Sequence, residues 1–356
     1  MTSGAWRPPS ICRSDLVPTA AILGTGLIGT SVGLSLRAMG WFVTGWDPDP
    51  AALAGALELE AIDAAAVDRP EAIGQADLVV LAGPPGAVVA GLAELATNAL
   101  VTDVAGVKLP VVEAAGHLAH FVGGHPMAGR EHAGPGAASA SLFRGASWIL
   151  CNDGASDADL TRMNGIVKGL GAVPIAMTAA EHDAAVAAIS HLPQVLASVL
   201  VQLAGGDPHA LDLAAGSFRD LTRVALSEPA WWAELLVANQ VHVREALGSL
   251  AETLDTWAFA LEEGDIDRLA AQLEEARRVR RAMAPPVVEV GVVLEDRPGE
   301  LGAVGRALSA SAVDVRDLQL RHGPHGGGGV LTLSVRPEES EALRAALEAE
   351  GFELGE

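Results

Sequence analysis

Cysteine and basic residues are both scarce in this chain of 356 residues. The two cysteines, Cys12 and Cys151, lie far apart and show no metal-ligand spacing. That argues against a disulfide framework and against a zinc or other metal site, and it suits a reducing cytoplasm. Lysine and arginine number 23 against 45 aspartates and glutamates, a formal net charge of −22. This balance argues against nucleic acid as a partner, because phosphate binding needs clustered Lys and Arg. It also disfavours an anionic membrane surface, and an anionic substrate would depend on a few local arginines working against the global field. No motif repeats in tandem. The stretch Thr19–Leu36 is almost free of charge and follows Arg7 and Arg13, a combination that imitates a signal peptide or membrane helix. The glycines inside it (24, 26, 29 and 33) point elsewhere.

Half of the residues are apolar, enough for a sizeable core, and the length suits two or three domains. Residues 1–17 read as a loose leader. Within 18–178, the segments Ala20–Leu23, Trp41–Trp46, Ala76–Ala82, Ala99–Asp103, Ala119–Gly123 and Ser147–Cys151 read as strands. They alternate with helical patterns, which predicts a Rossmann-type doubly wound parallel sheet. From 179 to 284 the strand signal disappears. Apolar positions at helical spacing dominate, as in Val195–Leu203 and Leu235–Leu254, and predict an all-helical domain. Pro285 and Pro286 end it. Residues 285–356 then read strand (Val287–Leu294), helix (Leu301–Ser309), strand (Val313–Leu320), strand (Gly329–Val335), helix (Glu338–Glu350) and a stub (Phe352–Leu354). That is the βαββαβ order of a small ferredoxin-like module, with the glycines at 326–329 as a hairpin tip.

Gly24-Thr25-Gly26-Leu27-Ile28-Gly29 follows a predicted strand and opens a predicted helix. In that context the pattern has a mechanical meaning. Gly24 permits a tight turn, Gly26 lets the backbone approach a pyrophosphate, and Gly29 lets the helix pack on the strand. The helix N-terminus presents free N–H groups to the phosphates. Asp47 ends the second strand; a carboxylate there accepts from a ribose 2′-hydroxyl and repels a 2′-phosphate, which selects NAD. The rival reading of Asp47 is a helix cap in Asp-Pro-Asp-Pro. Ligands of such sheets lie beyond the carboxyl ends of the strands. Asp103, His125 and Gly83-Pro84-Pro85 fall there, and Asp103 and Gly106 are read with the cofactor-binding residues. His125 sits between two glycines and a proline in Gly123-Gly-His-Pro-Met-Ala-Gly129, a histidine cleared of neighbours and suited to proton handling.

Five stretches, "GTGLIGTSVGLSL", "DVAGVK", "GGHPMAGREH", "ISHLPQ" and "GSFRDLTRVA", occur in the order found in prephenate dehydrogenases and their arogenate-using relatives. The chain resembles that family over residues 20 to about 280. The resemblance implies oxidative decarboxylation of a cyclohexadienol on the route to tyrosine. It implies that His125 takes the ring hydroxyl proton and that Arg223 grips a substrate carboxylate with two parallel bonds. Arg130, Glu131, His182, Ser190, Gln194, Gly216 and Trp232 match positions that line the family's pocket. Three positions depart from its pattern. Gly106 stands where a serine usually bonds the catalytic histidine. Gln194 replaces a second histidine, and Arg130 a small hydroxyl residue. The side-chain chemistry of the substrate turns on such positions. Arogenate, 4-amino-4-deoxyprephenate and a non-catalytic sensor of NAD and an amino acid therefore remain open.

In relatives the helical domain carries a dimer contact. The segment Leu226–Leu254 has the apolar surface for one, with an intramolecular core as the alternative. Arg277, Arg278, Arg280 and Arg281 read as a solvated face. "EDRPGELGAVGRAL" looks like the opening of an ACT domain, which implies a regulatory module. Its Asp296-Arg-Pro-Gly299 turn would hold an effector such as tyrosine; a module that only dimerises is the alternative.

Overall fold

The computed structural model describes residues 17–129, 134–283, 287–322 and 328–355. The leader, Arg130, Glu131 and the hairpin tip thus lie outside the described residues, apart from Val17 and the tip's last two glycines. The chain divides into two compact units, Met1–Ala251 and Glu252–Glu356.

The first unit opens with strands β1 (Thr19–Leu23), β2 (Phe42–Trp46), β3 (Ala64–Ala65), β4 (Leu78–Leu81), β5 (Leu100–Asp103) and β6 (Phe121–Val122). They form one sheet in the order β3-β2-β1-β4-β5-β6, with every pairing parallel. Its strands are apolar on both faces because helices cover both. Ile22, Val43, Val80 and Leu100 feed one core cluster, while Ala21, Val79, Leu81 and Val101 feed the other. The charge-free stretch Thr19–Leu36 becomes β1 and most of the helix Leu27–Ala38. Asp49, not Asp47, caps the following helix Pro50–Glu58, accepting from the Ala51 N–H at 2.9 Å.

Beyond β6 the chain leaves this sheet. Strands β7 (Gly124–Pro126), β8 (Ser147–Cys151) and β9 (Val173–Met177) build a separate three-stranded sheet in the order β7-β8-β9. Ser147–Cys151 is therefore not a sixth strand of the large sheet. It is the centre of the small one, antiparallel to β7 and parallel to β9. The switch occurs at Gly123-Gly124, where the chain presses on its neighbours. A Cβ on Gly124 would stand 2.5 Å from the Asp103 carbonyl oxygen. His125 thus sits on the seam between two sheets. The strand β9 carries Pro174, which suits its edge position.

From Ala179 to Ala282 the elements are helical. One run, Ala179–Gly205, is long and apolar enough by length and composition to cross a membrane. It carries His182, Asp183, His191 and Gln194, all buried. The expected single stretch Leu235–Leu254 is two helices, Pro229–Ala238 and Gln240–Glu262, broken at Asn239.

In the second unit the strands β10 (Val288–Leu294), β11 (Asp317–His322), β12 (Gly329–Val335) and β13 (Leu354–Gly355) form a sheet in the order β11-β12-β10-β13. All pairings are antiparallel. The helices Glu300–Ser311 and Ser340–Ala349 supply Val304, Ala307, Leu343 and Leu347 to its core, against Val290, Val292, Leu331 and Leu333. The β11 strand starts later than its apolar signal, because Val313 and Val315 pack into the core from a non-strand segment.

Gly29 is the tightest point of the nucleotide-side fold: a Cβ there would stand 1.9 Å from the Gly24 carbonyl oxygen. Gly29→Ala is expected to destabilise the protein by about 1–3 kcal/mol through overpacking. An unfolding curve that matches wild type in urea contradicts this.

Candidate active site

The turn after β1 carries the first half of the site. Gly24 holds a φ of +106°, and a Cβ there would meet the Ala82 carbonyl oxygen at 2.6 Å. Nothing lies within 4 Å of where a Gly26 Cβ would be, so the approach to the helix N-terminus is open. The helix Leu27–Ala38 has no side-chain cap, which leaves its first N–H groups for an anion. A cleft of about 200 Å³ runs beside this turn, lined among others by Gly24, Gly26, Asp47, Arg69 and Pro84. These features fit a dinucleotide: a bare backbone for pyrophosphate, and a carboxylate at the end of β2 for a ribose. The Asp47 carboxylate is oriented from within. Thr25 donates to Oδ2 from its backbone N–H at 2.6 Å and from its hydroxyl at 3.2 Å, and the Asp49 N–H donates to Oδ1 at 2.9 Å. Thr25 is itself fully buried, so its side chain serves Asp47 rather than the cofactor. Arg69, unnoticed in the sequence, lays its guanidinium 4.8 Å above the Trp46 ring.

The second half starts at the end of β5. Asp103, expected among the cofactor-binding residues, is fully buried. Its carboxylate accepts from the Ala105 N–H at 2.8 Å, from the Gly124 N–H at 3.0 Å, and from the Lys108 ammonium. Lys108 also donates to the Gly124 carbonyl at 2.6 Å and has no exposed surface. Asp103 therefore ties β5 to β7 and holds a buried cation, and it does not face a ligand.

Behind Lys108 lies a chain of three side chains. His125 Nδ1 is 2.8 Å from His182 Nε2, and His182 Nδ1 is 2.7 Å from Asp183 Oδ1. Asp183 is held by the backbone N–H groups of Lys108 at 2.7 Å and Leu109 at 2.9 Å. The helix carrying His182 and Asp183 begins with a capping box, Thr178 with Glu181, which sets both residues in its second turn. A π turn at Ala187–His191 then interrupts the run just before Pro193. Nine residues of unbroken α-helix would set His191 roughly 180° from His182. A π turn absorbs about one residue and brings the two to roughly 80°. Asn239 joins them, donating to the Asp183 carbonyl at 2.8 Å and lying 3.1 Å from His191 Nδ1.

His125 is pushed well below the ordinary histidine value, first by burial and then by the nearby His182, Lys108 and His191. Burial also lowers His191, to about 4. The substitution at position 106 is open to inspection. A Cβ on Gly106 would lie 3.8 Å from His125 Nε2 and 3.1 Å from Leu235 Cδ1. A side chain there would reach the imidazole, and Leu235 takes up part of its room.

The remaining expected residues divide. Gln194 is buried, and its Oε1 has no hydrogen-bond partner among the described residues. Ser190 is half-buried in the π turn, and Trp232 is half-buried with its ring edge-on to His191 at 6.1 Å. Gly216 and Arg223 are exposed, on the helix Gly216–Thr222 and on the 3-10 turn Arg223–Leu226 that follows it. His182, expected to line the pocket, is 1% exposed and has both ring nitrogens engaged, so it does not contact a substrate through them. Sequence reading passed over Asp183, Lys108 and Asn239. The His-Asp dipeptide at 182–183 was the available signal for the first.

Because His191 titrates at about 4 when folded and near 6.5 when unfolded, the unfolded chain binds more protons between those values. Its stabilisation is complete above pH 6.5 and is lost as the pH falls toward about 4, a change of about 3 kcal/mol. His191→Gln is expected to flatten the fall in unfolding free energy across that window. Identical pH slopes for the two proteins contradict the assignment.

Comparison with known proteins follows the same lines. Residues 32–176 match the prephenate dehydrogenase nucleotide-binding domain, and residues 178–275 match the prephenate dehydrogenase dimerization domain. The probable prephenate dehydrogenase NovF of Streptomyces niveus is 33% identical over 352 residues, covering 91% of this chain and 96% of that protein. Prephenate dehydrogenase of Bacillus subtilis (strain 168) is 28% identical over 95% of this chain and 99% of its own. The crystal structure of prephenate dehydrogenase from A. aeolicus, in complex with hydroxyphenyl propionate and NAD+, superposes with a TM-score of 0.70 at 26% identity, covering 76% of this chain and 100% of that one. With both domain models matched over residues 32–176 and 178–275 and a relative 33% identical along nearly the whole chain, this chain belongs to the prephenate dehydrogenase family.

Proposed function

We propose that the protein oxidises and decarboxylates prephenate to 4-hydroxyphenylpyruvate with NAD, in tyrosine biosynthesis. The observation that carries this reading is His125, placed on the seam at the carboxyl edge of the sheet, with Nδ1 bound inward to His182 at 2.8 Å. Its other nitrogen has no hydrogen-bond partner among the described residues and is the one offered to a ligand. Gly24, Gly26 and Asp47 hold the dinucleotide, and bound NAD accepts the hydride from the ring carbon that bears the hydroxyl. His125 Nε2 takes the hydroxyl proton as that carbon becomes a carbonyl. The ring carboxylate then leaves as carbon dioxide. Its bonding pair enters the ring, which becomes a phenolate and recovers the proton from His125. Aromatisation drives the step, so the residues mainly position and exchange one proton. Arg223 grips a carboxylate, with Arg130, Glu131, Ser190, Gln194, Gly216 and Trp232 around the side chain.

The helical segment serves as the homodimer contact of a cytoplasmic enzyme. The C-terminal βαββαβ sheet is an ACT-like regulatory domain. Gly299, at a φ of +99°, opens its first helix beside Asp296, and tyrosine is the effector assigned to that turn. A second reading rests on Gly106, which gives His125 no hydroxyl partner: the ring then carries an amino substituent, as in 4-amino-4-deoxyprephenate, or the side chain carries one, as in arogenate.

Purified protein with NAD is expected to form NADH from prephenate, and His125→Asn to lose about 10²–10⁴ in rate. NADH from an amino analogue alone would select the second reading, and tight NAD binding without turnover on the whole panel would leave a sensor. The acid limb of kcat/KM is expected below 6.5, since His125 must be neutral and is held below its ordinary value; a limb above 6.5 contradicts His125 as the base. Gly106→Ser adds a hydroxyl partner for His125, worth about 0.5–1.5 kcal/mol, and is expected to raise kcat by about two- to tenfold. An unchanged or lower kcat would mean that Leu235 denies the serine its place. Added tyrosine is expected to lower the initial rate; a flat response removes the effector role.

A further inference from the structure

We infer that His182 is a positioning residue that fixes the tautomer of His125, holding the proton on Nδ1 and the lone pair on Nε2. The inference rests on His125 being the base of the proposed reaction. Nothing in the family comparison assigns His182 this role, and its pocket-lining position had suggested substrate contact instead.

The direction of each hydrogen bond follows from the end of the chain. Asp183 is committed as an acceptor: the Lys108 N–H enters Oδ1 at 2.7 Å and the Leu109 N–H enters Oδ2 at 2.9 Å. The ring nitrogen facing Oδ1, His182 Nδ1 at 2.7 Å, must then be the donor. A neutral imidazole with its proton on Nδ1 offers a lone pair at Nε2. That lone pair faces His125 Nδ1 at 2.8 Å, so His125 donates there and keeps its own Nε2 unprotonated. The two rings meet edge-on, with centroids 5.0 Å apart and planes at 76°. In that arrangement the in-plane N–H of one ring can aim at the in-plane lone pair of the other.

The surroundings stabilise this assignment. The groups that face the pair are Asp183 on the same helix, Lys108 and Asp103 from the end of β5, and His191 from the π turn. His182 is 1% exposed, and a second buried cation beside Lys108 would carry a desolvation cost. A doubly protonated His182 would also donate toward His125 Nδ1 and force the proton onto His125 Nε2. That would present a donor where the substrate hydroxyl must itself donate. A fixed third group behind a base, choosing its tautomer, is the logic of the serine-protease Asp-His pair, here extended by one more imidazole.

The test is histidine-selective 15N NMR on the NAD-bound full chain, with His125 identified by its loss in His125→Asn. The wild type is expected to show an unprotonated Nε2 and a protonated Nδ1 for His125 near neutral pH. Protonated Nε2 there overturns the proposal. In His182→Phe, which offers no acceptor, the His125 signals should shift toward the other tautomer. Its kcat should fall about 100-fold, with the KM for NAD near wild type. In His182→Gln an amide oxygen can accept again, so the wild-type signature and part of the rate should return. Wild-type kcat and an unmoved His125 signature in both variants overturn the role. Should His182→Phe not fold, the wild-type spectrum and His182→Gln decide the matter. If wild type forms no NADH from any cyclohexadienol, the reaction fails, while the spectrum still judges the tautomer.

Discussion

The carboxylate of Asp183 is the knot on which the site depends. Its two oxygens take the first N–H groups of the helix Leu109–Ala114 and the ring of His182. The backbone carbonyl of the same residue receives Asn239. One side chain therefore ties the end of the parallel sheet to the helical half, and the His125 imidazole hangs from it through His182. Buried polar networks of this kind stabilise only when every member is satisfied. Here each member has its partner: the Lys108 ammonium has Asp103 and the Gly124 carbonyl, and Asp103 has two backbone N–H groups besides.

Two backbone irregularities set the reach of this network. At Gly123-Gly124 the chain changes sheets, so that His125 projects from a seam instead of a regular strand. At Ala187–His191 the π turn rotates His191 toward the face that carries Asp183, where Asn239 can bond both. Asn239 is itself the break between two helices. Each irregularity costs a regular backbone bond or a side chain, and each places a polar group where a regular element would not.

The large sheet and the helical segment were legible because their signals are local. Buried parallel strands are short apolar runs, and Gly24-x-Gly26-x-x-Gly29 sits between one of them and a helix. The small sheet was not legible. Strand β9 contains Pro174 and is mostly exposed, so neither composition nor alternation marks it. Ser147–Cys151 has a clear strand signal, but a run of five apolar-rich residues does not say which sheet it joins. The site shows the same division. His125, Asp47 and the glycines are marked by what surrounds them in sequence. Asp103, Lys108 and Asp183 carry ordinary surface residue types, and only their burial reveals what they do. Arg130 and Glu131 fall outside the described residues, so their expected place beside the substrate rests on sequence alone.

A net charge of −22 and a neutral base are compatible because the two act over different distances. A distant carboxylate is screened within about 8–10 Å at physiological ionic strength. Burial, Lys108 and the neighbouring imidazoles act on His125 at contact range, and they push its titration down. These contacts act on the imidazole directly and favour its neutral form despite an acidic surface. The global charge acts instead on arrival, where it opposes an anion. Arg219 and Arg223 are exposed on the segment 216–226, the kind of local cation that offsets such a field. In the reading proposed above the two jobs are separate: surface arginines offset the global field for an arriving carboxylate, and the chain from His125 through His182 to Asp183 orients the imidazole.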